Sequence, residues 1–230
     1  MRLNIPDISQ GDIDNMVDVA RSGWLTQGEK VKELESLVAD YVGVRYAVAV
    51  SSGTAALFLA LKAVEVGPGD QVIVPAYSFV ATANVVRHLG AEPVFVDIGE
   101  DLCIDTLQIR DKISLKTKAI MPVHAFGVCA DMDMINEIAL QFGIPVVEDA
   151  ACALGSEYYG ERAGSLSEVG CFSFHGRKIV TCGEGGMITT NRRDIYESVK
   201  LLRNHGINNG CEAPGYNYRL TDLQAALVIG

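Results

Sequence analysis

From Ala47 onward, short runs of purely apolar residues alternate with stretches of helical spacing, and this alternation limits the fold more than any other feature. AVAV (47–50) leads through Ser-Ser-Gly into TAALFLALKAV (54–64). QVIVP (71–75) leads into a helical stretch from about Phe79 to His88, and PVFVD (93–97) follows. AIMPV (119–123) precedes a helix near Met132 to Phe142, and PVVED (145–149) comes next. A strand that is apolar on both sides has to be covered on both sides. Such strands separated by amphipathic helices predict an α/β protein with a mainly parallel sheet between two helical layers, α/β/α. CFSFH (171–175) and GMITT (186–190) read as two further strands, and Arg193 to Leu202 as a helix.

Two helical patterns precede this region. Asp12 to Arg21 puts Ile13, Met16, Val17 and Ala20 on one stripe, and Val31 to Tyr41 does the same with Val31, Leu34, Leu37, Val38 and Tyr41. The last residues, LTDLQAALVIG, open like a helix with Thr221 as N-cap and stop after about two and a half turns. That reads as a cut inside an element, so the chain is expected to be part of a longer protein.

With 230 residues the chain can bury one substantial α/β core. Its net charge of -10 argues against non-specific binding to nucleic acid. The opening MRLNIPDISQGDID holds no apolar stretch of signal-peptide type, and the longest apolar runs are broken by Lys or Glu and too short to span a bilayer. Six cysteines form no CxxC pair and no histidine stands at finger-like spacing, so no metal site is expected. Reduced thiols and a cytoplasmic location, away from membranes, are the corresponding expectation.

In open parallel sheets ligands bind where strands end at their carboxyl edge. Three groups fall at such ends. In SSGTAAL (51–57), Gly53 permits a tight turn, and the amides of Gly53, Thr54 and Ala55 start a helix. That arrangement suits a phosphate or is simply a capped helix start. Glu148-Asp149 closes PVVED, where a carboxylate can cap a helix, bind a metal or face a ligand's cation. CFSFHGRKIVTCGEGG (171–186) offers Ser173 as a hydroxyl and Lys178 as an amine, beside glycines that let the backbone pass close to a cofactor. Taken alone it is equally a glycine-rich turn with a solvated lysine. Together the three groups supply what pyridoxal 5'-phosphate (PLP) needs: a lysine amine, an anion cradle, and a carboxylate that keeps the ring nitrogen protonated.

These residues carry a resemblance. SGWLTQGEKVKELESLVADYVG (22–43), SSGTAALFLAL, GDQVIVPAYSFVATANVV (69–86), GAEPVFVDI, PVHAFG, VVEDAACALGS, FSFHGRKIVTCGEGGMITTN and GYNYRLTDLQAAL occur in this order over nearly the whole chain. The set resembles the DegT/DnrJ/EryC1/StrS aminotransferases, PLP enzymes of fold type I that mostly act on nucleotide-linked keto sugars. The resemblance implies that residues 1–230 form the large PLP-binding domain. Residues 1–45 would pack towards a smaller C-terminal domain that this chain does not contain. It implies Lys178 as the Schiff-base lysine and Asp149 as the partner of the pyridine nitrogen. Gly53, Thr54, Ala55 and Ser173 would hold the phosphate, and Phe79 would stack on the ring. Asn217 would reach the phosphate of a neighbouring subunit, hence a homodimer with shared sites. The reaction implied moves an amino group, most often from glutamate, to the keto sugar, with Lys178 shuttling the proton.

One position departs from the pattern: the residue near the cofactor's hydroxyl, usually Gln or His, is Cys152, a weaker hydrogen-bond donor. A sugar dehydratase of the same superfamily usually has His where Lys178 stands, which favours transamination. A non-catalytic regulatory relative stays open. His175 can sit near the cofactor or sugar and is equally at home as a structural histidine. Trp24 can line the substrate entrance but reads first as a packed loop aromatic, His205 and Arg219 can face an anionic nucleotide but read first as surface charge, and Glu184 is read as holding the GEGG turn.

Overall fold

The computed structural model describes residues 5–230; Met1 to Asn4, the head of the expected 1–230 domain, lie outside the described residues. In chain order the elements are α1 (Gln10–Ser22), α2 (Glu29–Val42), β1 (Tyr46–Val50), α3 (Gly53–Ala63), β2 (Gln71–Pro75), α4 (Ala81–His88), β3 (Glu92–Val96) and α5 (Thr106–Lys112). Then come β4 (Thr117–Ile120), a 3-10 turn (Ala125–Gly127), α6 (Met132–Phe142), β5 (Val147–Asp149), β6 (Glu157–Tyr158), β7 (Glu161–Arg162), β8 (Val169–Ser173), β9 (Gly186–Thr190), α7 (Arg193–Arg203) and α8 (Asp222–Ile229).

Strands β3, β2 and β4 pair in parallel, and β5, β8, β9 and β1 form a second run. Parallel bridges Ile120–Val146 and Val123–Asp149 join the runs into the order β3-β2-β4-β5-β8-β9-β1. The sheet is parallel except for β9, which is antiparallel to both its neighbours. The cause is the connection. No crossover helix separates β8 from β9, so the chain turns straight back, and the returning strand must run the other way.

Alternating strand residues feed the two sides. Val48, Val50, Val72 and Val74 pack with α3, α4 and α7, while Ala47 and Ala49 meet α2 and α8, and Ile73 meets α5 and α6. Three layers result, as the sequence pattern predicts. In α2, Val31, Leu34 and Val38 of the expected stripe are buried but Leu37 and Tyr41 stand 48% and 49% exposed. The α1 stripe departs further. Ile13 and Val17 stand 44% and 37% exposed, Ala20 is exposed too, and the helix instead buries Asp12 and Val19 where it packs on α8. Periodicity locates an apolar face but not the element that covers it.

Helix α2 starts at Gly28 without a cap of its own. The carboxylate of Asp222, in the first turn of α8 and 4% exposed, accepts from the amides of Gly28 (2.7 Å), Val31 (3.0 Å) and Lys30 (3.3 Å). One anion thus satisfies donors that would otherwise be buried without partners, and it faces the positive end of α2. Asp222→Ala is expected to destabilise the chain by about 2–4 kcal/mol, since charged hydrogen bonds are lost and the amides stay buried. Urea unfolding checks this; a change below about 1 kcal/mol would contradict it.

Candidate active site

Strand register carries the candidate residues to one edge of the sheet. β5 and β8 run parallel with Asp149 opposite Cys171, so the turn that follows Ser173 rises from the edge where Asp149 ends. Ser173 then pairs with Gly186, and Gly186 with Val50, which brings Ser51-Ser52-Gly53 to the same edge. The turn from 174 to 185 is tied by Phe174 N–H to Gly185 O (2.8 Å), Cys182 N–H to Phe174 O (3.1 Å) and Gly176 N–H to Gly183 O (3.0 Å). Lys178 sits at its tip, half-buried.

A cavity of about 230 Å³ opens there, lined by Phe126, Ala151, Cys152, Ser173 and Lys178 among others. The Lys178 amine lies 2.9 Å from the Sγ of Cys152. Asp149 is 5% exposed. Its Oδ2 accepts from the hydroxyl of Thr82 (2.8 Å) and its Oδ1 from the amide of Ala151 (3.2 Å). Burial raises its pKa; the Thr82 hydroxyl, the Ala151 amide, Lys178 and His124 pull the other way. No cation among the described residues stands within ion-pair distance of this carboxylate. Asp149 stands two and three residues before the lining residues Ala151 and Cys152 and does not itself line the cavity.

Helix α3 begins at the same edge. Ser52 caps it by accepting from Ala55 N–H (3.0 Å), so that amide is engaged within the chain, and Gly53 and Thr54 lead the helix N-terminus. A Cβ on Gly53 would lie 2.8 Å from the Cβ of Ser173, so only glycine lets that hydroxyl stand beside the helix start. The set suits a phosphate monoester, with helix dipole, leading amides and a hydroxyl. Amine, buried carboxylate and anion cradle together fit PLP.

The remaining expected residues fall less centrally. Phe79 is 77% exposed on the segment between β2 and α4, three residues before Thr82, and Asn217 is exposed on a segment bridged to Asn204. Neither lines this cavity. His175 faces Glu184 at 3.7 Å and accepts from the Arg177 amide at Nδ1, which makes it part of the turn's own bracing, as expected of Glu184. Trp24 donates to Gln27 O, and Arg219 to Asn204.

The description of the DegT/DnrJ/EryC1/StrS aminotransferase family matches residues 6–230. The chain belongs to this family. It is 43% identical over 228 residues to GDP-perosamine synthase of Caulobacter vibrioides, covering 96% of this chain and 62% of that protein. The putative sugar aminotransferase Spr1654 from Streptococcus pneumoniae, solved in PLP and PMP forms, superimposes with a TM-score of 0.94 at 36% identity. In the PLP form the likeness covers 100% of this chain and 65% of that one. Helicobacter pylori PseC, an aminotransferase involved in the biosynthesis of pseudoaminic acid, reaches 0.95 at 32% identity over 99% of this chain and 64% of its own. The chain therefore spans somewhat under two thirds of the length of these relatives.

Against this family background, the residues that sequence reasoning passed over are Thr82, Ser78, Phe126 and His124, the last of which pairs with Glu148. His124 and Glu148 are both fully buried, with Nε2 3.0 Å from Oε2. Because Nδ1 accepts from the Ala130 amide, Nε2 carries the proton and donates it to Glu148. Glu148 also accepts from Gly164 N–H (2.6 Å) and the Ser167 hydroxyl (3.0 Å). The pair ties the end of β5 to the segments at Ala130, Gly164 and Ser167. Phe126 holds φ 52°, ψ 24°, a left-handed conformation uncommon for an aromatic residue, at the cavity wall.

Gly186 offers a direct test of the cradle. A Cβ there would lie 2.5 Å from Ser52 O and 2.8 Å from Gly53 N, both backbone atoms. Gly186→Ala should displace the Ser51–Thr54 turn and weaken cofactor affinity about tenfold or more. Titration of the fluorescence change on PLP addition measures it; unchanged affinity would mean that the turn holds no phosphate.

Proposed function

We propose that the chain is the cofactor-binding part of a PLP-dependent aminotransferase that moves an amino group, from glutamate or a similar amino acid, to the keto group of a nucleotide-linked sugar. The observation that supports this most is that strand register brings the buried Asp149, the Ser173–Lys178 turn and the α3 N-terminus to one edge of the sheet, where Lys178 and Ser173 line a small cavity. The relatives named for perosamine and pseudoaminic acid synthesis point to sugars as acceptors.

Bound PLP would supply an electron sink for the carbanion formed next to the transferred nitrogen. The rest is the work of the chain. Gly53 and Thr54 amides and the Ser173 hydroxyl bind the phosphate, with Ala55 kept in place by Ser52. Asp149 holds the proton on the ring nitrogen. Lys178 Nζ anchors the cofactor, then removes the proton from the α-carbon of the amino acid as general base. Cys152 touches that amine, and by the family pattern it would face the cofactor's hydroxyl.

Phe79, exposed three residues before Thr82, is proposed to cover the ring, and Asn217 to complete the site of a second copy in a homodimer. Residues 5–230 are proposed to be the large domain, with the uncovered stripe of α1 facing the smaller domain of a longer protein. No helix among the described residues is long and apolar enough to cross a membrane, in keeping with a proposed cytoplasmic location.

The test is the half-reaction. PLP-loaded protein mixed with glutamate should yield close to one 2-oxoglutarate per site, and further turnover only when a keto sugar nucleotide is added. Absence of 2-oxoglutarate from loaded protein would overturn the proposal.

A further inference from the structure

Thr82 is the second residue of α4 and only 1% exposed. That helix begins at Val80 without any side-chain cap, so the hydroxyl is not engaged in starting the helix. It lies 2.8 Å from Asp149 Oδ2, a residue 67 positions away, and 2.7 Å from the Oγ of Ser78. A hydroxyl has one hydrogen to give, and an ionised carboxylate only accepts. The direction of the chain is therefore fixed: Ser78 O–H donates to Thr82, and Thr82 O–H donates to Asp149. Each donor polarises the next, which strengthens a charge-assisted bond in a site shielded from water.

We propose that Thr82, with Ser78 behind it, is a positioning residue that keeps Asp149 ionised and aimed at the ring nitrogen of the bound cofactor. This rests on the functional reading given above and assigns a task to residues outside the expected site. Burial drives the Asp149 carboxyl towards its protonated form, and the Thr82 hydroxyl is the largest of the influences opposing that. The other titratable groups around Asp149 are Lys178, His124, Glu148 and the buried thiol of Cys171. Without the Thr82 donor the carboxylate becomes the stronger base, and the shared proton moves from the ring nitrogen onto Asp149. An uncharged ring is the poorer electron sink. The proton on the donor's α-carbon then becomes harder to remove, while amino-acid binding is untouched.

The experiment loads the 230-residue chain with PLP labelled with nitrogen-15 in the ring and reads that nucleus by NMR, alongside the kinetics of the glutamate half-reaction. Wild type should give the signal of a protonated ring. Thr82→Val should shift it towards the unprotonated value and slow the half-reaction about tenfold at saturating glutamate, with the half-saturating concentration unchanged. Thr82→Ser should restore both readouts, and Ser78→Ala should give a smaller shift in the same direction. A folded Thr82→Val with the wild-type signal and rate overturns the assignment while leaving the functional reading intact. If Thr82→Val does not fold, an unshifted signal in Ser78→Ala overturns it. Wild-type chain that attaches no PLP overturns the functional reading and this assignment together.

Discussion

Replacing Lys178 by alanine is expected to lower the glutamate half-reaction by a factor on the order of 10⁴ or more, because one atom performs two tasks. In the proposed reaction Nζ is both the covalent anchor of the cofactor and the base that takes the α-proton. Lys178→Arg should not recover the loss, since a guanidinium stays protonated and cannot act as that base. The fold should survive both changes. Lys178 is half-buried at a turn tip, its amine bonds Cys152 Sγ, and the turn is held by backbone bonds of Phe174, Gly176 and Cys182. Thermal melts within a few degrees of wild type, next to the lost rate, would separate chemistry from stability. A rate within tenfold of wild type would contradict the assignment.

Asp149→Asn is expected to slow the same half-reaction by about 10³-fold, equivalent to about 4 kcal/mol of transition-state stabilisation. An amide cannot hold the ring cation. It also fits its surroundings poorly, because Thr82 and the Ala151 amide both donate to the two oxygens, and one of them would then meet an NH₂ group. A loss of about 1–3 kcal/mol in stability follows from that mismatch. Its pH dependence has a definite sign. Burial raises the folded-state pKa above the unfolded one, so the folded chain takes up a proton more readily. This carboxyl therefore favours folding fully below the unfolded-state range, and its contribution is lost as pH rises through the raised value. The stability advantage of cofactor-free wild type over Asp149→Asn should accordingly shrink from acid towards neutral pH, as urea unfolding at a series of pH values would show. An advantage that grows with pH would contradict the burial argument.

What the chain discloses in one dimension is what repeats locally. Apolar runs at 71–75 and 186–190 and the helix at Met132–Phe142 are strands and helix within the same limits in the structure, because each is buried on the faces its spacing implies. That Lys178, Asp149 and the Ser51–Ala55 turn fall at one edge of the sheet was legible because strand ends in such sheets collect together. Partnerships across long separations were not. Thr82 reads as one more residue of a helix start until β5 brings Asp149 to its hydroxyl. His124 and Glu148 look like a loop histidine and a strand-end acid, yet both are fully buried and bonded. The cap of α2 comes from Asp222, 191 to 194 positions further along the chain, which no local signal announces. Short elements also escaped: α5 buries only Ile109, and the β6–β7 hairpin pairs just two residues on each side, too few to set up a period. The α1 stripe failed in the opposite sense, with clear periodicity and no partner among the described residues over Ile13 and Val17.

The central claim is that the amine of Lys178 carries the cofactor. Protein incubated with PLP, reduced with borohydride and digested should yield a single modified peptide, heavier by one reduced phosphopyridoxyl group, with the added mass on Lys178 of HGRKIVTCGEGG. Modification spread over exposed lysines such as Lys32 and Lys116, with Lys178 no more labelled than they are, would contradict the account.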